Sequence, residues 1–156
     1  MTEGAILHAG CVARLAAGTW AGVLLTGPSG AGKSDLALRL VERGWRLVAD
    51  DRARVWASEG ALYARAPETL AGLLEARQVG VVGLPRRLLA RVALLVACEP
   101  AAAPLERVPE ADSDSIVGVV LPRVALHPLD ASAPRKVELA LASLGRRFDS
   151  GAGGPI

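Results

Sequence analysis

The octapeptide Gly27-Pro-Ser-Gly-Ala-Gly-Lys-Ser34 constrains this chain more than any other feature. It fits the P-loop pattern, and it lies between an apolar stretch, Ala21 to Thr26, and a segment with helical periodicity. Glycine lets the backbone curl so that successive N–H groups converge on phosphate oxygens, and the positive end of the following helix reinforces the anion site. Gly27, Pro28, Ser29, Gly30, Ala31 and Gly32 are therefore expected to cradle the phosphates of a nucleoside triphosphate. Lys33 would reach the β- and γ-phosphates, and Ser34 would offer its hydroxyl to a bridging Mg2+. Lys33 is one of two lysines against 16 arginines, so its position is less easily a background event. The loop by itself leaves the reaction open, because kinases, GTPases, motor domains and passive switches all use it.

The surrounding pattern predicts an α/β sheet domain with flanking helices. Leu7 to Leu15 and Ala21 to Thr26 read as strands joined by the turn-prone Ala17-Gly18-Thr19. From Lys33, residues Leu36, Leu40 and Val41 fall on one helical face, and Gly44 is placed to end that helix. Arg46 to Ala49 reads as a strand that ends at Asp50-Asp51. Val55-Trp56 and Leu62-Tyr63 around Glu59-Gly60 suggest a hairpin, while Pro67 to Leu74 reads equally as a short helix or an irregular connection. Further strands are expected at Val79 to Val82, Val92 to Val96 and Ile116 to Leu121, with a loop over Glu99 to Pro109. Pro134 opens a last helix with Val137, Leu141 and Leu144 on one face. Residues 1–150 are read as a single domain, and residues 151–156 as a frayed tail.

Composition limits the classes of function. With 156 residues, 51% of them hydrophobic, the chain can bury one substantial core. Its 18 basic and 16 acidic side chains are interspersed, and aromatics make up 3%, a poor match for nucleic-acid binding. Cys11 and Cys98 lack zinc-site spacing and read as reduced core residues. No stretch approaches the length of a membrane span, and no leader pattern is visible, so a cytoplasmic location without membrane contact is expected.

Asp50 and Asp51 stand where open α/β sheets form their ligand crevice, at the carboxyl end of the strand after the P-loop helix. Neighbours in an extended chain point to opposite sides, so one carboxylate could support magnesium while the other accepts a proton. The plain alternative is a solvated turn. No Asn-Lys-x-Asp or Leu-Ser-Gly-Gly segment occurs, which argues against a GTPase or an ABC motor.

Taken in order, His8, Gly27–Ser34, Leu47-Val-Ala-Asp-Asp51 and Glu75-Ala-Arg-Gln-Val-Gly-Val81 resemble the catalytic domain of HPr kinase/phosphorylase. Members of that family phosphorylate a seryl residue on the phosphocarrier protein HPr and can reverse the reaction. The resemblance is to a short form of alphaproteobacterial type that lacks the amino-terminal domain of longer members. It implies an ATP-dependent regulatory serine kinase of a phosphotransferase system, with an HPr-like partner and a hexameric assembly. Asp51 would then be the proton acceptor in the forward direction and the donor in phosphorolysis, assisted by Asp50. Ser34 and Glu75 would be magnesium ligands, Lys33 would hold the phosphates, and Arg77 would lie in the segment used in both directions. His8 resembles the family's active-site histidine, and Arg107, in Leu105-Glu-Arg-Val, resembles the arginine of an Asp-Arg-Leu segment. A structural histidine and a carboxylate on a helix surface are the competing readings of His8 and Glu75. Gln78 replaces a glycine of the family signature. Two other readings compete with the kinase: a nucleotide-gated interaction module that transfers nothing, and a small-molecule P-loop kinase.

Overall fold

The computed structural model describes residues 4–148, so the tail expected at 151–156 lies outside the described residues. The amino-terminal half contributes β1 (Gly4–Leu7), β2 (Ala9–Ala16), β3 (Thr19–Thr26), α1 (Lys33–Glu42), β4 (Arg46–Ala49), β5 (Ala53–Ser58) and β6 (Ala61–Arg65). After a 3-10 turn at Glu68–Leu70 come β7 (Leu73–Ala76), β8 (Gly80–Gly83), β9 (Leu89–Cys98), β10 (Asp112–Ile116), β11 (Val119–Leu126) and α2 (Ala133–Leu144). A nine-stranded sheet runs in the order β1-β5-β6-β9-β3-β2-β4, with β11 and then β10 joined through β9, and β7 and β8 form a separate hairpin.

Strand β9 holds the sheet together. One of its edges pairs in parallel with β3 over Arg91 to Ala97. The other is shared, with β6 antiparallel at Leu89 to Arg91 and β11 parallel at Leu95 to Cys98. Because β2 is antiparallel to both β3 and β4, the chain leaves β3, β4, β9 and β11 at one common edge of the sheet. Loops from the carboxyl ends of such strands form the ligand crevice of open α/β sheets.

Two apolar layers cover the sheet. Val23, Leu25, Leu94 and Val96 face the helices and pack with Leu36 and Leu40 of α1 and Val137 and Leu141 of α2. Cys11, Leu24, Val55, Leu62, Leu95 and Leu121 form a second core on the opposite side. Both cysteines are buried and free, as their spacing predicts, and burial raises each thiol pKa to about 12, which keeps it protonated. A buried carboxylate pins the helices together. Glu138 of α2 accepts from Arg43 Nε at 3.0 Å and Nη2 at 2.5 Å, and from Trp45 Nε1 at 3.2 Å. Those donors, led by Arg43, lower its pKa from 4.5 to about 2 against the opposing effect of burial.

Three expectations need correction. The Ile116 to Leu121 strand is in fact a hairpin, broken by left-handed Val117 (φ 49°) and Gly118 (φ 79°). Two successive positive φ values are the signature of a tight hairpin turn, but a β-branched residue seldom occupies such a position. The Leu7 to Leu15 strand is interrupted at His8, where the chain changes partners: Leu7 pairs with Ala53, whereas Ala9 pairs with Thr26. Leu144, at the end of α2, is 46% exposed rather than part of the buried face.

Candidate active site

The P-loop spans the gap between β3 and α1, and its neighbours dictate its glycines. Gly27 has φ 139°, and a Cβ there would lie 2.3 Å from the carbonyl oxygen of Cys98. Gly32, the N-cap of α1, is left-handed with φ 111° and has no side-chain cap. The free N–H groups of the first helical turn therefore point into the loop, as an anion site requires. Lys33 is buried, and its Nζ donates to the carbonyls of Gly27 at 2.6 Å and Pro28 at 3.0 Å. The ammonium thus lies along the rim of the loop, with a flexible four-carbon stem behind it.

The two aspartates after β4 take different partners. Asp50 accepts from the Ser34 hydroxyl at 2.6 Å through Oδ1 and from the Glu75 backbone N–H at 3.1 Å through Oδ2. One carboxylate thereby joins the first turn of α1 to β7. Asp51 is left-handed (φ 66°), a conformation that costs a non-glycine residue roughly 1 kcal/mol. Its side chain, 57% exposed, turns to His8, whose Nε2 lies 2.6 Å from Oδ1. The ring nitrogen is the donor in this contact, since an ionised carboxylate only accepts. His8 reaches this place because β1 leaves for β5 just where β2 joins β3.

The β7–β8 hairpin brings in the remaining signature residues. Glu75 lies on a strand rather than a helix, paired with Val81, and is exposed. Arg77 overhangs the P-loop, with Nη2 3.9 Å from where a Cβ on Gly30 would lie. Gln78 occupies the turn at φ 69°, a conformation that suits glycine better. Arg107 is exposed in the segment between β9 and β10, and among the described residues no hydrogen bond or ion pair joins it to the others. Beside this hairpin, Arg87 stacks on Trp20 at 4.6 Å and Arg86 donates to the Ala71 carbonyl, so both have structural partners. The loop after β11 is a feature that sequence reasoning missed: Leu129 and Pro128 rest against Gly32, held by Arg39 of α1. Only the apolar character of Leu129 within a polar loop hints at this.

Ser34 and Asp50 bring a hydroxyl and a carboxylate together, hard oxygen donors of the kind magnesium takes when it also binds substrate phosphates and keeps several waters, while Glu75 is tied to them through its backbone N–H. Among the described residues no group of three or more His, Cys, Asp or Glu is placed to hold a metal ion, so magnesium here would rely on substrate phosphates and water for most of its ligands.

A glycine loop at the head of a helix, with carboxylates beside it from a neighbouring strand end, defines a P-loop domain. Residues 6–88, just over half of the chain, match the HPr Serine kinase C-terminal domain family, and the chain belongs to that family. It is 47% identical over 64 residues to the HPr kinase/phosphorylase of Clostridium tetani, a stretch covering 41% of this chain and 21% of that protein. The corresponding enzyme of Limosilactobacillus reuteri is 53% identical over 62 residues, or 39% of this chain and 19% of that one. The chain thus spans about a fifth of the length of these relatives. Its fold is shared with the HPr(Ser) kinase/phosphatase from Coxiella burnetii, at a TM-score of 0.73 and 24% identity, over 88% of this chain and 94% of that one. No helix among the described residues is long and apolar enough to cross a membrane.

Proposed function

We propose that this chain is an ATP-dependent protein kinase that transfers the γ-phosphoryl group to a seryl hydroxyl of an HPr-like phosphocarrier. The observation that carries this reading is the Asp51–His8 pair beside the phosphate loop. The exposed Asp51 carboxylate is held through Oδ1 at 2.6 Å by the His8 imidazole, and its other oxygen is the one assigned here to accept the substrate proton.

In the forward direction Asp51 takes the seryl proton as the seryl oxygen attacks the γ-phosphorus. The bond from that phosphorus to the β–γ bridging oxygen breaks, and ADP leaves. His8 holds Asp51 in the orientation for that transfer. Lys33 swings from the loop carbonyls to the phosphates, and Arg77 stands over them to balance developing charge. Ser34, Asp50 and Glu75 would hold magnesium, which would supply charge neutralisation on the phosphates when bound. In the reverse direction inorganic phosphate attacks the phosphoserine, Asp51 returns the proton to the seryl oxygen, and pyrophosphate is released. Gln78 stands in the segment used in both directions, at a turn whose positive φ suits the glycine it replaces.

The test is incubation with labelled ATP, magnesium and an HPr-like phosphocarrier from the same source, with the label traced to serine. Absence of transfer under every nucleotide and magnesium condition sinks the reading. Lys33→Ala should lose both nucleotide binding and transfer.

A further inference from the structure

The proposed kinase reading leaves one end of the nucleotide without a place in the protein, and the loop after β11 supplies it. The sheet order puts β4 on one flank of β3 and β9, followed by β11, on the other. The chain leaves all four strands at the same edge. A triphosphate that lies over the loop after β3, with its γ-phosphate toward Asp51 beyond β4, therefore directs its base toward the β11 flank.

On that flank stands His127-Pro-Leu-Asp130. Leu129 is 60% exposed, yet its Cδ2 lies only 2.7 Å from where a Cβ on Gly32 would be, with Pro128 Cγ at 3.3 Å. An exposed leucine alone says little. This one is held on a braced support. Arg39 bonds Asp35 through Nε at 2.9 Å, the Asp130 carbonyl through Nη1 at 3.1 Å and the Pro128 carbonyl through Nη2. The turn is closed by Asp130 N–H to the His127 carbonyl at 3.2 Å and Ala133 N–H to the Asp130 carbonyl at 3.0 Å. Two of these bonds tie the turn to α1, and the third, to Asp35, fixes the guanidinium that makes them. A rigid apolar wall against the last loop glycine is what a flat heterocycle packs on.

We propose that Leu129 forms the wall against which the base of the bound nucleotide packs, and that Arg39 is the residue that positions it. The inference rests on the nucleotide-binding reading above. It identifies the feature of the site that distinguishes a nucleotide from bare polyphosphate.

The experiment compares magnesium ATP with magnesium tripolyphosphate, which carries the phosphates but no base, by calorimetric titration. Leu129→Ser should weaken ATP about ten-fold, the scale of losing part of one buried leucine contact, and leave tripolyphosphate within about two-fold. Leu129→Met should restore most of the ATP affinity, and Arg39→Ala should reproduce the selective loss. Equal weakening of both ligands, or of neither, overturns the wall. Failure of the unaltered protein to bind ATP at all overturns the nucleotide reading itself, a result distinct from either.

Discussion

Glu138→Gln removes one negative charge from the junction of the two helices while keeping an acceptor for Trp45. The carboxylate is buried, and its pKa falls from 4.5 to about 2, chiefly through the hydrogen bonds from Arg43. A group with a depressed pKa stabilises the fold fully above its unfolded value and loses that contribution as pH falls toward the folded value. At 1.36 kcal/mol per unit, the charge contributes roughly 3 kcal/mol near neutrality, to be lost between pH 4.5 and about 2. Arg43 is half-exposed and recovers water when its partner is lost, so the substitution should cost about 2–3 kcal/mol at pH 7. Glu138→Ala should cost about 1–3 kcal/mol more, because it also strands the Trp45 N–H in the core. Urea unfolding followed by far-ultraviolet circular dichroism at pH 7, 4 and 2.5 measures these differences. Wild type and Glu138→Gln should converge as the pH falls. A gap that stays constant from pH 7 to 2.5 would refute the linkage of Glu138 to the fold.

Other expectations concern the site and the core. Gly27→Ala places a Cβ against a backbone carbonyl at positive φ, so the loop should fail to form and ATP should no longer raise the melting temperature, as thermal shift would show. Asp51→Asn should lower phosphoryl transfer at least about 100-fold with nucleotide affinity unchanged, in single-turnover assays with labelled ATP. A parallel fall in affinity would show that Asp51 acts in binding. Leu40→Ala, at a fully buried position on α1, should cost about 2–5 kcal/mol in urea denaturation.

Local chemistry made much of this legible. The glycine pattern, the helix it starts and Gly44 at that helix's end (φ 97°) are short-range events, and the described chain follows them closely. The adjacent aspartates were expected to face different ways, and they do, one toward Ser34 and the other toward His8. What was not legible depends on distant partners. The break at His8 arises because residues 4 to 7 pair with β5 and residues from 9 onward with β3, a choice no periodicity records. Val117 at positive φ hid a turn inside an apolar run. Leu129 acquires its place only through Arg39, 90 positions earlier, so its neighbours in sequence carry no signal.

Gly27 rests on the Cys98 carbonyl, and the Thr26 hydroxyl bonds the Val96 carbonyl 70 residues on. The family match ends at residue 88, one residue before β9 begins. During synthesis, the strand that shapes the phosphate loop emerges long after the loop itself, and contacts of such separation form slowly. A nascent chain halted before β9 would carry the whole P-loop motif and still lack the strand against which Gly27 takes its shape. Competence to bind phosphate is therefore acquired late, once the carboxyl-terminal half has been made and has docked.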